Sequence, residues 1–151
     1  MCPGRVFACQ VHPRSGWSRM PSAEAPIAYP GRYAGPGVHQ KSLRGSGFGV
    51  VFEDDGETGY FYATTEDFEI LDALHLYDNG HPSSPKLGET VYFVWRPSLV
   101  KAGIFYQEVF QAIVDFKNRI ACCRSGFPPK FGSWCTSSHD WDDKLVDGLE
   151  P

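Results

Sequence analysis

The sequence predicts a mainly β protein, an antiparallel meander of about six short strands that forms one domain over residues 45–131. Apolar and polar residues alternate in several short runs, and turn-forming residues separate these runs. The chain has 151 residues, 42% of them hydrophobic, which is enough for one buried core but short for two domains. Open sheet, small sandwich and partly closed barrel all fit this pattern.

Residues 1–44 are predicted to form an irregular or disordered N-terminal arm, and residues 1 to about 40 are expected to be dispensable for folding. Six of the 12 prolines lie within the first 36 residues, where no apolar periodicity occurs. The first 20 residues also lack the apolar stretch of an export signal. Met20 precedes a Pro-Ser-Ala run, so we interpret residues 1–19 as a mis-called start.

The first predicted hairpin turns at Asp55-Gly56, a dipeptide typical of tight hairpin loops. Such a turn places three pairs on the core side of the sheet: Phe52 with Gly59, Val50 with Phe61 and Phe48 with Ala63. Because side chains alternate along a strand, Tyr60 and Tyr62 are expected on the opposite face. Acids at Asp54, Asp55 and Glu57 suit this turn better than a cation site.

The remaining strands follow in order along the chain. Residues 70–77 are predicted as a strand, although their spacing also allows a short helix. Alternating apolar residues predict a strand at 89–96, which Pro97 ends. Residues 101–116 are predicted as a hairpin with a tight turn at Gln107-Glu108, and a second turn at 116–118 leads to a strand at 119–124.

Residues 132–151 are predicted to form a C-terminal extension with a short helix. Ser138 is a suitable N-cap for a helix over 138–147, acids follow it in the first turn, and Gly148 is a suitable stop.

Three segments together resemble an uncharacterised bacterial family of small proteins, a domain of unknown function. They are GFGVVFEDDGETGYFYA, ILDALHLYD and VWRPSLVKAGIFYQEVFQAIVDFKNRIACCRSGFPP. The resemblance covers about residues 46–129, with Gln107-Glu108 where an Asn-Gly type of turn would be expected. It supports the domain boundaries and implies no activity or catalytic residues.

Charge and cysteine content limit the functional classes. Residues 1–45 hold six Lys/Arg and one acid, whereas residues 46–151 hold eight Lys/Arg and 17 acids. Such an acidic core repels phosphate backbones, so nucleic acid is not an expected partner. No apolar stretch is long enough to span a membrane. Five cysteines, an odd number without repeated spacing, are typical of reduced thiols in a cytoplasmic protein.

Metal and cofactor sites are not predicted. The metal-ligating residues that cluster in sequence are Cys122, Cys123, Cys135 and His139. Adjacent strand residues face opposite ways, so Cys122 and Cys123 are poorly placed to share one ion. Known nucleotide-binding or hydrolase motifs are also absent from the sequence.

The leading functional hypothesis is a non-catalytic, acidic module that binds a protein partner through an outer aromatic face. Its candidate binding residues are Tyr60, Tyr62, Asp72 and His75, and no catalytic residue is assigned. The alternative is a small-molecule-binding domain or small enzyme with a cleft near Asp72, His75 and the tyrosines. Asp72 and His75 are three residues apart, so they share a face only if their segment is helical.

Overall fold

Two antiparallel sheets packed face to face form the protein in the computed structural model, which describes residues 25–43, 46–127, 134 and 139–150. One sheet has five strands in the order β1-β6-β7-β8-β9, and the other has four in the order β2-β3-β4-β5. The strands of the described residues are β1 (Ile27–Arg32), β2 (Gly37–Leu43), β3 (Phe48–Asp54), β4 (Thr58–Thr65), β5 (Ile70–Asp78), β6 (Thr90–Arg96), β7 (Lys101–Tyr106), β8 (Val109–Asp115) and β9 (Ile120–Cys123).

The main hydrophobic core lies between the sheets. Val50, Phe61 and Leu74 enter it from the four-stranded sheet and are completely buried. Ile104 and Val114 face them from the five-stranded sheet. Both inner faces are therefore apolar, as alternating strands of a sandwich require.

The outer face of the five-stranded sheet is also buried. Leu145, Val146 and Leu149 of the C-terminal segment pack in one cluster with Val94 and Ile113. Two cationic side chains of the sheet fasten the same segment: Lys101 Nζ donates to the Asp147 carbonyl (2.8 Å) and Arg96 Nη1 to the Gly148 carbonyl (3.0 Å). This sheet is thus covered on both sides.

The fold class predicted from the sequence is confirmed, and the β3–β4 hairpin differs in register. Phe52 pairs with Phe61 rather than Gly59, because the turn is centred on Gly56-Glu57, one residue further along. A shift of one residue in the turn moves the pairing by two, and two is the side-chain period. The predicted inner and outer faces are therefore correct although the predicted partners are wrong.

Local hydrogen bonding explains the acids of this turn. The Asp55 carboxylate accepts from the backbone N–H groups of Glu57 (2.9 Å) and Thr58 (2.8 Å). These bonds lower the pKa of Asp55. The turn at Gln107-Glu108 is tight as predicted, with φ values of 56° and 68°.

The N-terminal boundary predicted from the sequence is wrong for residues 27–43. This part of the supposed irregular arm forms β1 and β2, so the sandwich has nine described strands rather than about six. β1 pairs with β6, and Ala28 is completely buried, so loss of the first 40 residues would expose the core. Residues 1–24 and 44, including the supposed mis-called start, lie outside the described residues.

The predicted C-terminal helix is much shorter than expected. Within residues 139–150, only Asp143–Val146 are helical, as a 3₁₀ turn capped by the Asp142 side chain, which accepts from Lys144 N at 2.9 Å. Asp147 has an extended backbone (φ −56°, ψ 130°), so the turn ends after Val146, and Leu145 and Val146 pack on the five-stranded sheet. Ser138, the predicted N-cap, lies outside the described residues.

A buried carboxylate joins the sheets at one end of the core. Asp54 Oδ2 accepts from Tyr33 Oη (2.6 Å) and Tyr77 Oη (2.7 Å), and Oδ1 accepts from Gly56 N (2.8 Å). Burial and then the bond to Asp54 raise the pKa of Tyr33 to about 12. Each phenol therefore stays protonated and donates to Asp54.

Gly59→Ala is expected to destabilise the protein because the Tyr77 ring lies over Gly59. A Cβ at this position would overlap the Tyr77 ring, so Tyr77 would have to move away from Asp54. The expected loss in the free energy of unfolding is about 1–3 kcal/mol, as for other overpacked sites. Gly37→Ala, where a Cβ meets nothing within 4 Å, is the matched control and should change it by less than about 0.5 kcal/mol. Equal effects of the two substitutions in urea unfolding would contradict this.

Candidate interaction surface

Four stacked rings cross the outer face of the four-stranded sheet. We call this row the aromatic strip, and it contains Tyr62, Tyr60, His75 and Phe127. Successive ring centroids are 5.7, 4.8 and 3.8 Å apart, and the planes differ by 11–17°. Rings packed this closely support one another, so the strip is one continuous surface rather than four independent side chains.

Strand pairing and a short loop position the strip. Tyr60 lies opposite His75 on β5, and Tyr62 lies opposite Ala73. Phe127 follows β9 and reaches the sheet because Ser125 Oγ donates to the His75 carbonyl at 2.6 Å. The strip thus combines β4, β5 and the segment after β9.

One end of the strip is buried and the other is partly open to solvent. Tyr62 is only 9% exposed and packs with Val51 and Ala73, while Phe68 covers this cluster from the β4–β5 turn. Tyr60 and Phe127 are half-buried, and the His75 side chain is only 9% exposed. Surface available for contact is therefore centred on Tyr60 and Phe127 rather than on Tyr62.

Hydrogen bonds fix the polar groups of the strip. Tyr62 Oη donates to Glu53 Oε1 at 2.7 Å, and burial followed by this bond raises the pKa of Tyr62. His75 Nε2 lies 2.9 Å from Asp78 Oδ1. Both contacts place a carboxylate beside an aromatic ring.

The strands that carry the strip belong to an acidic stretch of chain. Residues 45–85 include nine Asp/Glu and no Lys or Arg. Asp54 and Asp72 are buried, and the other seven are partly or fully exposed: Glu53, Asp55, Glu57, Glu66, Asp67, Glu69 and Asp78. The exposed Asp, Glu, Lys and Arg side chains of β3–β5 and their turns are therefore all acidic.

The structure does not bring Asp72 and His75 together. Asp72 lies opposite Ala63 on the inner side of β5, and His75 lies opposite Tyr60 on the outer side. Of the four residues predicted to bind, Tyr60, Tyr62 and His75 meet in the strip and Asp72 does not.

Asp72 instead contacts His139, a pairing that the sequence analysis missed. His139 Nε2 lies 3.0 and 3.1 Å from the two carboxylate oxygens, and both residues are buried. The His139 carbonyl also accepts from Cys123 N at 2.9 Å. The pair is separated by 67 residues, and no local spacing signals it. Its geometry fastens the start of the C-terminal segment to β5 and β9.

The cysteines of β9 are buried thiols on opposite faces. Cys122 lies under the C-terminal segment, and Cys123 lies in the main core. Burial raises the pKa of Cys122 to about 11 and also raises that of Cys123. Among the residues that the structure describes, no group of three or more His, Cys, Asp or Glu is arranged to hold a metal ion. Cys135 lies outside them.

Fold and surface together define a two-sheet antiparallel β protein that carries the aromatic strip and many exposed acids on one sheet. A family model described as "Uncharacterized protein conserved in bacteria (DUF2251)" matches residues 34–150, and the chain belongs to this family. The resemblance seen in the sequence is thereby confirmed.

One curated relative is an uncharacterized protein of Haemophilus influenzae. It is 32% identical over 84 residues, which cover 54% of this chain and 52% of the relative. The match thus spans about half the length of that protein. No solved structure matches the chain. In the described part of the chain, no helix is both long and apolar enough to cross a membrane.

Alanine substitutions should distinguish the two tyrosines of the strip. Tyr62→Ala removes a buried ring and is expected to lower the free energy of unfolding by about 3 kcal/mol. Tyr60→Ala removes a half-buried ring and should lower it by about 1 kcal/mol. Chemical unfolding of both variants beside wild type measures the difference. A loss at Tyr60 as large as at Tyr62 would mean that the whole strip is structural.

The thiols of β9 should react slowly in the folded protein. The pKa of Cys122 is raised from 9.0 to about 11, so at pH 8 the reactive thiolate is about 100-fold scarcer than in the unfolded chain. Iodoacetamide labelling followed by peptide mapping should find both thiols protected until denaturant is added. Rapid labelling of Cys122 in native protein at pH 8 would contradict its burial.

Proposed function

We propose that this protein is a non-catalytic interaction module that binds a basic protein through the aromatic strip. The proposal rests on a difference between the two outer faces: one is covered by another segment of the chain, and the other keeps partly exposed aromatic rings. The C-terminal segment covers the five-stranded sheet, burying Leu145 and Leu149. On the four-stranded sheet, Phe127 joins the strip from the segment after β9, and Tyr60 and Phe127 both keep part of their surface exposed to solvent. Half-buried aromatic rings on such a face are typical of protein contacts.

The charge around the strip favours a cationic partner. No Lys or Arg lies between Arg44 and Lys86, so nothing in this stretch offsets its exposed acids. A field of one sign accelerates encounter with a surface of opposite sign and disfavours acidic competitors. Lys or Arg side chains also pair well with carboxylates beside aromatic rings. A protein with a basic contact surface is therefore the partner that fits this face.

The enzyme alternative has less support. A general base with an orienting carboxylate needs both groups at one place, and here Asp72 and His75 occupy opposite faces. The Asp72–His139 pair is buried, with Asp72 at 2% and His139 at 5% exposure. Small-molecule binding beside the strip stays an outcome of the experiment below.

The cytoplasm is the compartment we propose for this module. Cys122 and Cys123 are both free and buried, which suits a reducing environment.

Site-specific photo-crosslinking tests the proposed contact. A photoreactive phenylalanine analogue at Tyr60 should capture a basic protein in the source bacterium's lysate, with a yield that falls as salt rises. The control position is Val109, which is 37% exposed on the other sheet. Glu53→Gln, Glu57→Gln and Asp78→Asn combined should lower the yield at Tyr60. Equal capture at both positions, or a small molecule retained by wild type and lost in Tyr60→Ala, would count against the proposal.

A further inference from the structure

Each sheet has two edge strands. On three of these four edges, either other segments hydrogen-bond to the edge groups or a proline interrupts them. Along the side where β5 and β9 approach each other, edge groups have partners. The Leu71 carbonyl accepts from Trp134 N (3.0 Å), and the His75 carbonyl accepts from Ser125 Oγ (2.6 Å). On β9, Cys123 N donates to the His139 carbonyl. These two edges are therefore not open templates for another strand.

The β1 edge carries a proline at its centre. Tyr33 N donates to the Glu89 carbonyl at 2.8 Å, continuing the β1–β6 ladder, so residues 27, 29 and 31 hydrogen-bond toward β6. Residues 28, 30 and 32 then direct their backbone groups away from the sheet. Residue 30 is Pro30, which has no N–H to donate.

Within the described part of the chain, the β2 edge has neither a proline nor a bonded segment along it. The bonds Asp55 N to Thr58 O and Glu66 N to Gly47 O show that odd-numbered residues of β3 bond to β4. Even-numbered residues of β3 therefore bond to β2, at positions 37, 39, 41 and 43. Three residues of β2 are left with outward N–H and C=O groups, namely Val38, Gln40 and Ser42. All three are exposed, Val38 by 56%.

We propose that β2 pairs with β2 of a second copy of this chain, antiparallel and around a two-fold axis at Gln40. This register places Gln40 opposite Gln40 of the partner subunit and Val38 opposite Ser42 of the partner subunit. The three outward residues of each copy then exchange backbone hydrogen bonds across the seam. A two-fold contact of this kind is self-complementary and closed.

Side chains on β2 favour a second copy over an unrelated strand. The outer-face residues that would meet across the seam, Val38, Gln40 and Ser42, are uncharged. The two basic residues are directed toward their own subunit. Lys41 Nζ lies 4.2 Å from the Tyr29 ring centroid, and His39 stacks on Phe52 at 6.0 Å. The same register places Lys41 opposite His39 of the partner subunit on the inner face, so neither two lysines nor two acids meet across the seam.

A proline at the centre of β2, as Pro30 stands in β1, tests the pairing. Wild type should sediment at twice the chain mass of 16.8 kDa and dissociate on dilution. Gln40→Pro removes the central donor and should give monomer at concentrations where wild type is dimeric. Gln40→Thr keeps the N–H and should stay dimeric. A monomeric wild type at every concentration up to the millimolar range, or a dimeric Gln40→Pro, would overturn the proposal.

Engineered cysteines test the register without depending on proline tolerance. Paired residues that exchange hydrogen bonds have Cα atoms about 5.5 Å apart, a distance that a disulfide spans. Gln40→Cys should therefore form an intersubunit disulfide on mild oxidation, identified at residue 40 by peptide mass spectrometry. Ser42→Cys lies away from the axis and should not cross-link to itself. Comparable cross-linking of the two variants, or none at residue 40, would overturn the two-fold register.

Discussion

The antiparallel register of β3 with β4 is the constraint on which the rest of the structure depends. It places Val50 and Phe61 between the sheets and Tyr60 and Tyr62 on the outside. The same parity determines which backbone groups of β2 point away from β3. A one-residue slip would exchange every inner and outer side chain of the hairpin, exposing its core residues. Core, aromatic strip and free edge thus follow from one alignment.

The sequence predicted the parts of the fold in which one face of a strand is buried. β6 alternates Val91, Phe93 and Trp95, and such a period survives an error of two residues in pairing. β1 and β2 were missed for physical reasons. β2 is exposed on both faces over residues 37–40, so apolar and polar residues need not alternate there. β1 is an edge strand that contains Pro30, a residue that argues against a strand in sequence. These strands form because β3 and β6 offer them hydrogen bonds, which local sequence does not record.

The candidate site divides in the same way. Tyr60 and Tyr62 were predicted on one outer face because hairpin parity is local information. The joining of His75 to that face by Tyr60 depends on the β4–β5 register, and Phe127 arrives through a loop after β9. His139 reaches Asp72 from the far end of the chain. Contacts between residues so far apart in the chain arise from the packing of the two sheets, and residue spacing in a single sequence does not indicate them.

The β2 edge and the aromatic strip lie on the same sheet, so pairing through β2 would bring the strips of two copies into one assembly. A two-fold axis at Gln40 perpendicular to the sheet would join two four-stranded sheets into one and leave both strips on the same side. A partner with two basic segments would then meet two aromatic strips at a fixed separation. The second contact would be intramolecular, so modest affinity at each strip would give strong overall binding. Each strip alone would bind weakly, because its rings are half-buried and salt screens its charges. Pairing through β2 would combine two such weak contacts into a stable association.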